Sequence, residues 1–427
     1  MLVALFLSFF LLLFIGVPIA FAMAASAIGV LWAGTNVPLI IAVQRIYAGA
    51  DSFSLLAIPF FIIAGEVMTV SRMTDAIVAL CQSVLGRLRS GLAGVTVAAC
   101  VIFSGISGSG SADTAAVGSV MIPQLVARGY PRGLAAAIVA VSGALGPIIP
   151  PSILMVIYAA IAEVSIGKMF LAGIVPGLLI GTGLFGLLYV LNRFHGWEVP
   201  DSGRFDLREF SGSLKASAIP LGTPLVIIGG IVGGVFTVTE ASVIAAVYAL
   251  AAAALYRRMA WQELRDVFLR SGLLSSLSLF VIAMSAIFSW ILAREGLPQL
   301  VVAIITDWSG GQPLVGVLLV VIALLILGIY IEVLPLIVIF TPVLSELGNT
   351  LGYDPIHWGL LMIMTMNIGG VTPPVGSNLF IAASIARCNL SELSYWAWIL
   401  TGVHVAGVIL VIMWPALALW MPEVLMP

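Results

Sequence analysis

Charge is what this sequence most lacks: Lys, Arg, Asp and Glu together make up 8% of its residues, against 62% that are hydrophobic. A soluble domain carries about a quarter charged residues, and with a mean hydropathy of +1.21 a water-covered surface is excluded. Cysteine is equally scarce. Cys81, Cys100 and Cys388 are too few and too scattered for a disulfide framework or a metal cluster, and apolar surroundings mark them as inert thiols. No basic stripe of the kind nucleic acid requires is present, so no nucleic-acid partner is expected. No basic segment precedes the apolar N-terminus, which therefore reads as membrane-embedded and not as a cleaved leader.

What is present is a series of long charge-free windows: Met1–Gln44, Ser90–Ala112, Leu134–Ala162, Met169–Asn192, Ala216–Thr239, Ser271–Ala293, Ile356–Ala386 and Leu393–Pro422. Each reaches the roughly 20 residues a helix needs to cross hydrocarbon. Shorter windows at Ser52–Gly65, Thr114–Ala127 and Val333–Ser345 need another explanation. The 44 glycines and 22 prolines suit helices that are broken or closely packed, and they do not suit the alternating strands of a membrane barrel. The fold class is all-α and polytopic. Met1–Gly34 is compatible with one kinked helix or two short ones.

Lys and Arg concentrate in short cytoplasmic loops. Four clusters qualify: Arg87/Arg89, Arg128/Arg132, Arg193 to Lys215, and Arg257/Arg258 with Arg265 and Arg270. The first two bracket Ser90–Ala127, so both ends of that segment face the same side and it is a hairpin, either two full spans or a re-entrant pair. Asp113 stands ten residues before Pro123, and Gly129-Tyr130 stands 21 before Pro150-Pro151. Glu332 likewise stands ten before Pro342, and Gly352-Tyr353 stands 21 before Pro373-Pro374. The spacing predicts an internal repeat. The second hairpin, Gly311 to about Glu346, carries acids and no Lys or Arg, so it opens on the opposite face: the repeat is inverted, an architecture of secondary transporters.

In each unit a Pro-Pro pair interrupts an apolar stretch, at Gly146–Ser152 and at Gly369–Gly376, and helix cannot continue through either. Two half-helices joined by unwound backbone are expected. Thr74–Leu88 and Leu297–Trp308 read as interfacial arms, and most of the tryptophans as interfacial belt residues. The scaffold is expected over 1–89, 167–310 and 392–427, and the two transport units over 90–166 and 311–391.

Unwound backbone at membrane depth is tolerated where it lines a cavity, and its carbonyls suit a hard cation such as Na⁺ while half-helix N-termini favour an anion. Two cation sites with an anionic substrate beside them are predicted. Asp113 and Glu332 hold equivalent positions, and direct ion ligation or capping of the following half-helix both fit. Candidate substrate contacts at the same elements are Ser109, Ser111, Asp113, Ser152 and Asn378. Glu66, Glu163 and Glu240 lack a broken helix beside them, and paired or interfacial roles are expected. His195 reads as solvated, His357 as interfacial and His404 as packed in the last span. The serines near Gly105–Ser111 have neither a Gly-Lys-Ser/Thr ending nor a nearby His, so an enzyme is not expected.

Ser107–Gly118, Gly146–Ser152 and Val371–Asn378 give the whole chain a resemblance to the large membrane subunit of tripartite ATP-independent periplasmic (TRAP) transporters. The resemblance implies a bacterial inner-membrane protein working in lipid with a small membrane subunit and a periplasmic substrate-binding protein. It also implies Na⁺-coupled uptake of an organic anion, such as a C4-dicarboxylate or a sialic acid, by an elevator movement. It would place one Na⁺ among Ser104, Ser107, Gly108, Gly146 and Pro150, and the other among Gly328, Gly369 and Thr372, with Glu332 beside it. Since the chain opens at the large subunit's first span, the small partner is expected as a separate polypeptide. A carboxylate carrier that works alone, or a channel subunit, are the other readings.

Overall fold

The computed structural model describes residues 1–198, 206–256 and 259–426. Arg257 and Arg258, and Arg204 within the Arg193–Lys215 stretch, lie outside the described residues. Every regular element among the described residues is helical. The N-terminal set is α1 (Leu2–Phe14), α2 (Ile19–Gly34), α3 (Ile40–Ala50), α4 (Ala57–Val70, preceded by a 3-10 turn) and α5 (Met73–Leu85). The apolar N-terminus is thus two short helices, separated where Gly16 takes a positive φ and Pro18 follows.

The two predicted units follow the same plan. The first comprises α6 (Gly91–Ser107), α7 (Gly110–Ala127), α8 (Arg132–Gly143) and α9 (Ile153–Ala162). Next come α10 (Ile166–His195), α11 (Leu207–Val232), α12 (Val238–Tyr256), α13 (Trp261–Arg294) and α14 (Leu297–Ser309). The second unit comprises α15 (Pro313–Tyr330), α16 (Val333–Thr350), α17 (Pro355–Gly369) and α18 (Ser377–Ala386), followed by α19 (Leu390–Met413) and α20 (Ala416–Leu425). Hairpin arms of 17 and 18 residues answer arms of 18 and 18, and half-helices of 12 and 10 answer 15 and 10. Each unit is preceded by a 13-residue arm, α5 or α14, and each second hairpin helix carries one internal proline, Pro123 or Pro342. Eight helices among the described residues are long and apolar enough to cross a membrane. The fold is therefore an all-α multi-pass protein with two related hairpins and two broken helices.

Lipid tails are as apolar as leucine, so small residues that let backbones approach do much of the packing. In α8 every residue from Gly133 to Gly143 is buried, and seven of these eleven are Gly, Ala or Ser. This lets α6, α7, α18 and α19 close around it. From α19, His404 Nε2 donates to the Val141 carbonyl at 3.0 Å. From α9, the buried Tyr158 hydroxyl donates to the Pro355 carbonyl at 2.9 Å, tying one unit to the other.

Several sequence expectations are revised in detail. His357 is buried and its Nε2 donates to the Val411 carbonyl at 2.9 Å. Trp358 is buried too, its indole packed over Gly348 of α16 instead of lying in an interfacial belt. Seven residues of α5 are buried, against two of α14, so the first arm is packed between α6 and α11 while the second lies open. Glu240 accepts from Thr237 N and Thr237 Oγ1, both at 2.8 Å, in the structural role expected of it.

Candidate functional site

Each hairpin turns where its own broken helix is unwound. Gly108 takes a left-handed φ of +62° between α6 and α7, and a Cβ there would run into Pro151 O. Gly146, in the unwound stretch, faces the start of α7: a Cβ on it would lie 2.6 Å from Asp113 Oδ2 and 2.8 Å from Gly110 N. The Pro150 carbonyl faces Gly105 of α6. Ser104, Ser107, Gly108, Gly146 and Pro150 therefore meet at one junction.

Asp113 organises that junction. It is fully buried, and its two carboxylate oxygens accept from Ser104 Oγ, at 2.6 Å, and from Ser107 Oγ. Each hydroxyl thus spends its only proton on the carboxylate; Ser107 Oγ accepts from Ser109 N–H at 3.1 Å, and each oxygen keeps a lone pair for a further partner. Asp113 caps no backbone N–H, so support of the neighbouring hydroxyls replaces the capping role. Hydroxyl and carbonyl oxygens with a carboxylate one bond away suit a hard monovalent cation. No cluster of three His, Cys, Asp or Glu exists among the described residues, so the donors do not suggest a transition-metal centre.

The second junction is built from backbone. Gly328 of α15 and Gly369 of α17 touch so closely that a Cβ on Gly369 would overlap Gly328 O, C and Cα. Thr372 is buried beside them, its N–H donating to Gly369 O at 3.1 Å and its hydroxyl to Ile368 O at 2.6 Å. Glu332 departs from Asp113 here. It stands at the N-cap position of α16 without a side-chain capping bond, and it is exposed on a cavity. The hairpin-2 turn begins four residues later in the repeat than the hairpin-1 turn, which moves the second acid out of its junction.

Between the junctions lies a cavity of about 570 Å³. Its wall includes the first residues of four helices: Gly110 and Ser111 of α7, Ile153 and Leu154 of α9, Val333 and Leu334 of α16, and Ser377 and Asn378 of α18. Ser107, Ser109, Asn367 and Glu332 also line it, as do Glu66 of α4 and Leu274, Leu277 and Ser278 of α13. Ser109 and Ser111 share a hydrogen bond at 3.2 Å. Of the predicted substrate contacts, Ser109, Ser111 and Asn378 reach the cavity. Asp113 belongs to the first junction, and Ser152 Oγ is occupied by Pro147 O at 2.7 Å and Met155 N at 3.3 Å, capping α9.

Asn367 was not legible as a site residue. Its Nδ2 donates to the Ala144 carbonyl, and Asn378 Nδ2 donates to Ala140 O at 3.4 Å. Asn367 and Ala144 are 223 residues apart, the same separation as Pro373 from Pro150. The two breaks therefore meet at the axis relating the repeats. Its one signal in the sequence is an amide in an otherwise apolar run before Gly369-Gly370. Asn367→Ala leaves a buried carbonyl unpaired and is expected to cost about 1–3 kcal/mol, read as a lowered melting temperature of the detergent-purified protein.

Residues 6–417 match the family described as "Tripartite ATP-independent periplasmic transporter, DctM component". The chain belongs to the DctM family. It is 39% identical over 382 residues to the C4-dicarboxylate TRAP transporter large permease protein of Pseudomonas aeruginosa, covering 89% of this chain and 88% of that one. It is 33% identical to the sialic acid TRAP transporter large permease protein of Vibrio cholerae, covering 96% of each. Such relatives are transport permeases and not enzymes. The crystal structure of the Alcanivorax borkumensis YdaH transporter superposes with a TM-score of 0.63 at 14% identity, covering 88% of this chain and 89% of that one. The DctM-family chain is thus a TRAP large membrane subunit with the fold of a known transporter.

Proposed function

We propose that this chain is the permease of a three-component system in the bacterial inner membrane, taking up an organic anion that a periplasmic binding protein delivers. A small membrane subunit completes it. Na⁺ drives the uptake, with one ion held at the Ser104/Ser107/Gly146 junction and one at the Gly328/Gly369/Thr372 junction. The observation that carries this reading is the convergence of four helix N-termini on one cavity between the two junctions. Each N-terminus presents partial positive charge, which with the N–H groups left uncapped holds an acid group without Lys or Arg.

Cations at the junctions would hold each hairpin tip against its break and so shape the adjoining cavity. The hairpins, the broken helices and the helices packed along them, α10 and α19, would move as one body past α1–α5 and α11–α14. The test is uptake into proteoliposomes holding this chain, with the small subunit or the binding protein omitted in turn. Loss of uptake on either omission supports the reading; uptake of free substrate by the chain alone overturns it in favour of a self-sufficient carboxylate carrier.

A further inference from the structure

The cavity that the proposed function assigns to an anion also carries two carboxylates. Glu66 enters from α4, directly after Gly65, whose Cα hydrogens lie against Ser107 at the hairpin-1 tip. Glu332 enters from the hairpin-2 tip. No Lys, Arg or His lines the cavity among the described residues, and neither glutamate takes part in a salt bridge there. Arg270 of α13 stands outside the lining. The remaining polar wall is made of hydroxyls and amides, notably Ser109, Ser111, Asn367 and Asn378.

The cavity therefore offers both kinds of partner, with Glu332 itself at the N-cap of α16. The helix N-termini offer donors and positive potential to one acid group. A carboxyl group offers acceptor oxygens, so hydroxyl or amino donors pair with Glu66 and Glu332. A second carboxylate on the substrate would face like charge, which costs several kcal/mol, whereas hydroxyl or amino groups would satisfy both acids. Resting on the anion reading of this cavity, we propose that Glu66 and Glu332 select a monocarboxylate bearing hydroxyl or amino donors, as in a sugar acid, and reject dicarboxylates.

Specificity of this kind is a difference of affinities, so it is read by comparing probes on one protein. The experiment is ligand-dependent thermal stabilisation of the purified chain with its small subunit, in Na⁺, by gluconate and by succinate. Gluconate carries one carboxylate and a hydroxylated tail; succinate carries two carboxylates. Gluconate is expected to stabilise at concentrations about tenfold or more below those needed for succinate. Glu66→Gln and Glu332→Gln are each expected to narrow that ratio, and the double variant to abolish it, with ligand-free melting temperatures confirming that the variants are folded. Succinate binding as well as gluconate to the wild type, or an unchanged ratio in the folded double variant, overturns the proposed selection and leaves the anion reading standing. Stabilisation by neither probe contradicts the anion reading itself, and with it this proposal.

Discussion

Gly369→Ala is expected to cut substrate uptake about a hundredfold, the scale of loss that a displacement of roughly 1 Å produces at a preorganised site. The added Cβ meets the backbone of Gly328 and not the movable end of a side chain, so relief requires α15 and α17 to separate. Forcing an extra methyl into a packed contact costs about 1–3 kcal/mol, which a large membrane protein can absorb without unfolding. Uptake in proteoliposomes, normalised to inserted protein, checks the effect. Gly402→Ala is the control, since nothing lies within 4 Å of a Cβ at that position, and it is expected to transport normally. Equal uptake by the two variants would mean that the Gly328–Gly369 contact has no part in transport.

The second large effect is at Asp113. Asp113→Asn keeps the shape but removes the charge, and it turns one acceptor oxygen into an N–H donor facing a hydroxyl that already donates. Ser104 or Ser107 must then turn its proton toward the space where the cation is proposed to sit. The half-saturating Na⁺ concentration for uptake is expected to rise about 10- to 100-fold, or roughly 1.4–2.8 kcal/mol of ion affinity. Uptake measured against external Na⁺ reads this directly. A variant with lowered maximal uptake and an unchanged Na⁺ dependence would show that Asp113 supports the hairpin without influencing an ion.

Much of this arrangement was legible in the chain because its signals are local. The absence of charge marks the membrane class, and the Pro-Pro pairs stop helices wherever they occur. The equal spacings around Asp113 and Glu332 anticipate two units built of the same four helices in the same order. Both proposed ion junctions were also readable, since glycines and hydroxyls cluster at the breaks.

What escaped is non-local. Nothing near Asn367 says that its amide will reach Ala144 across the repeat axis. Glu66 lies in a helix with no break of its own, and it joins the cavity because Gly65 lets α4 approach Ser107. Equivalence in sequence also overstated equivalence in space. Asp113 lies inside α7, four residues beyond its N-cap Ser109, while Glu332 is itself the N-cap of α16, so one acid is enclosed and the other open. Ser152 fits its cap because the break needs one, and this removes it from the cavity.

The central claim is that Na⁺ and an organic anion cross together through the two junctions and the cavity between them. Its most direct test is to follow radioactive Na⁺ and radiolabelled substrate simultaneously into proteoliposomes bearing the complete complex, with loaded binding protein outside. Entry of both in a fixed ratio, with more than one Na⁺ per anion, is the predicted result. Substrate entry that continues unchanged when no Na⁺ enters would contradict it.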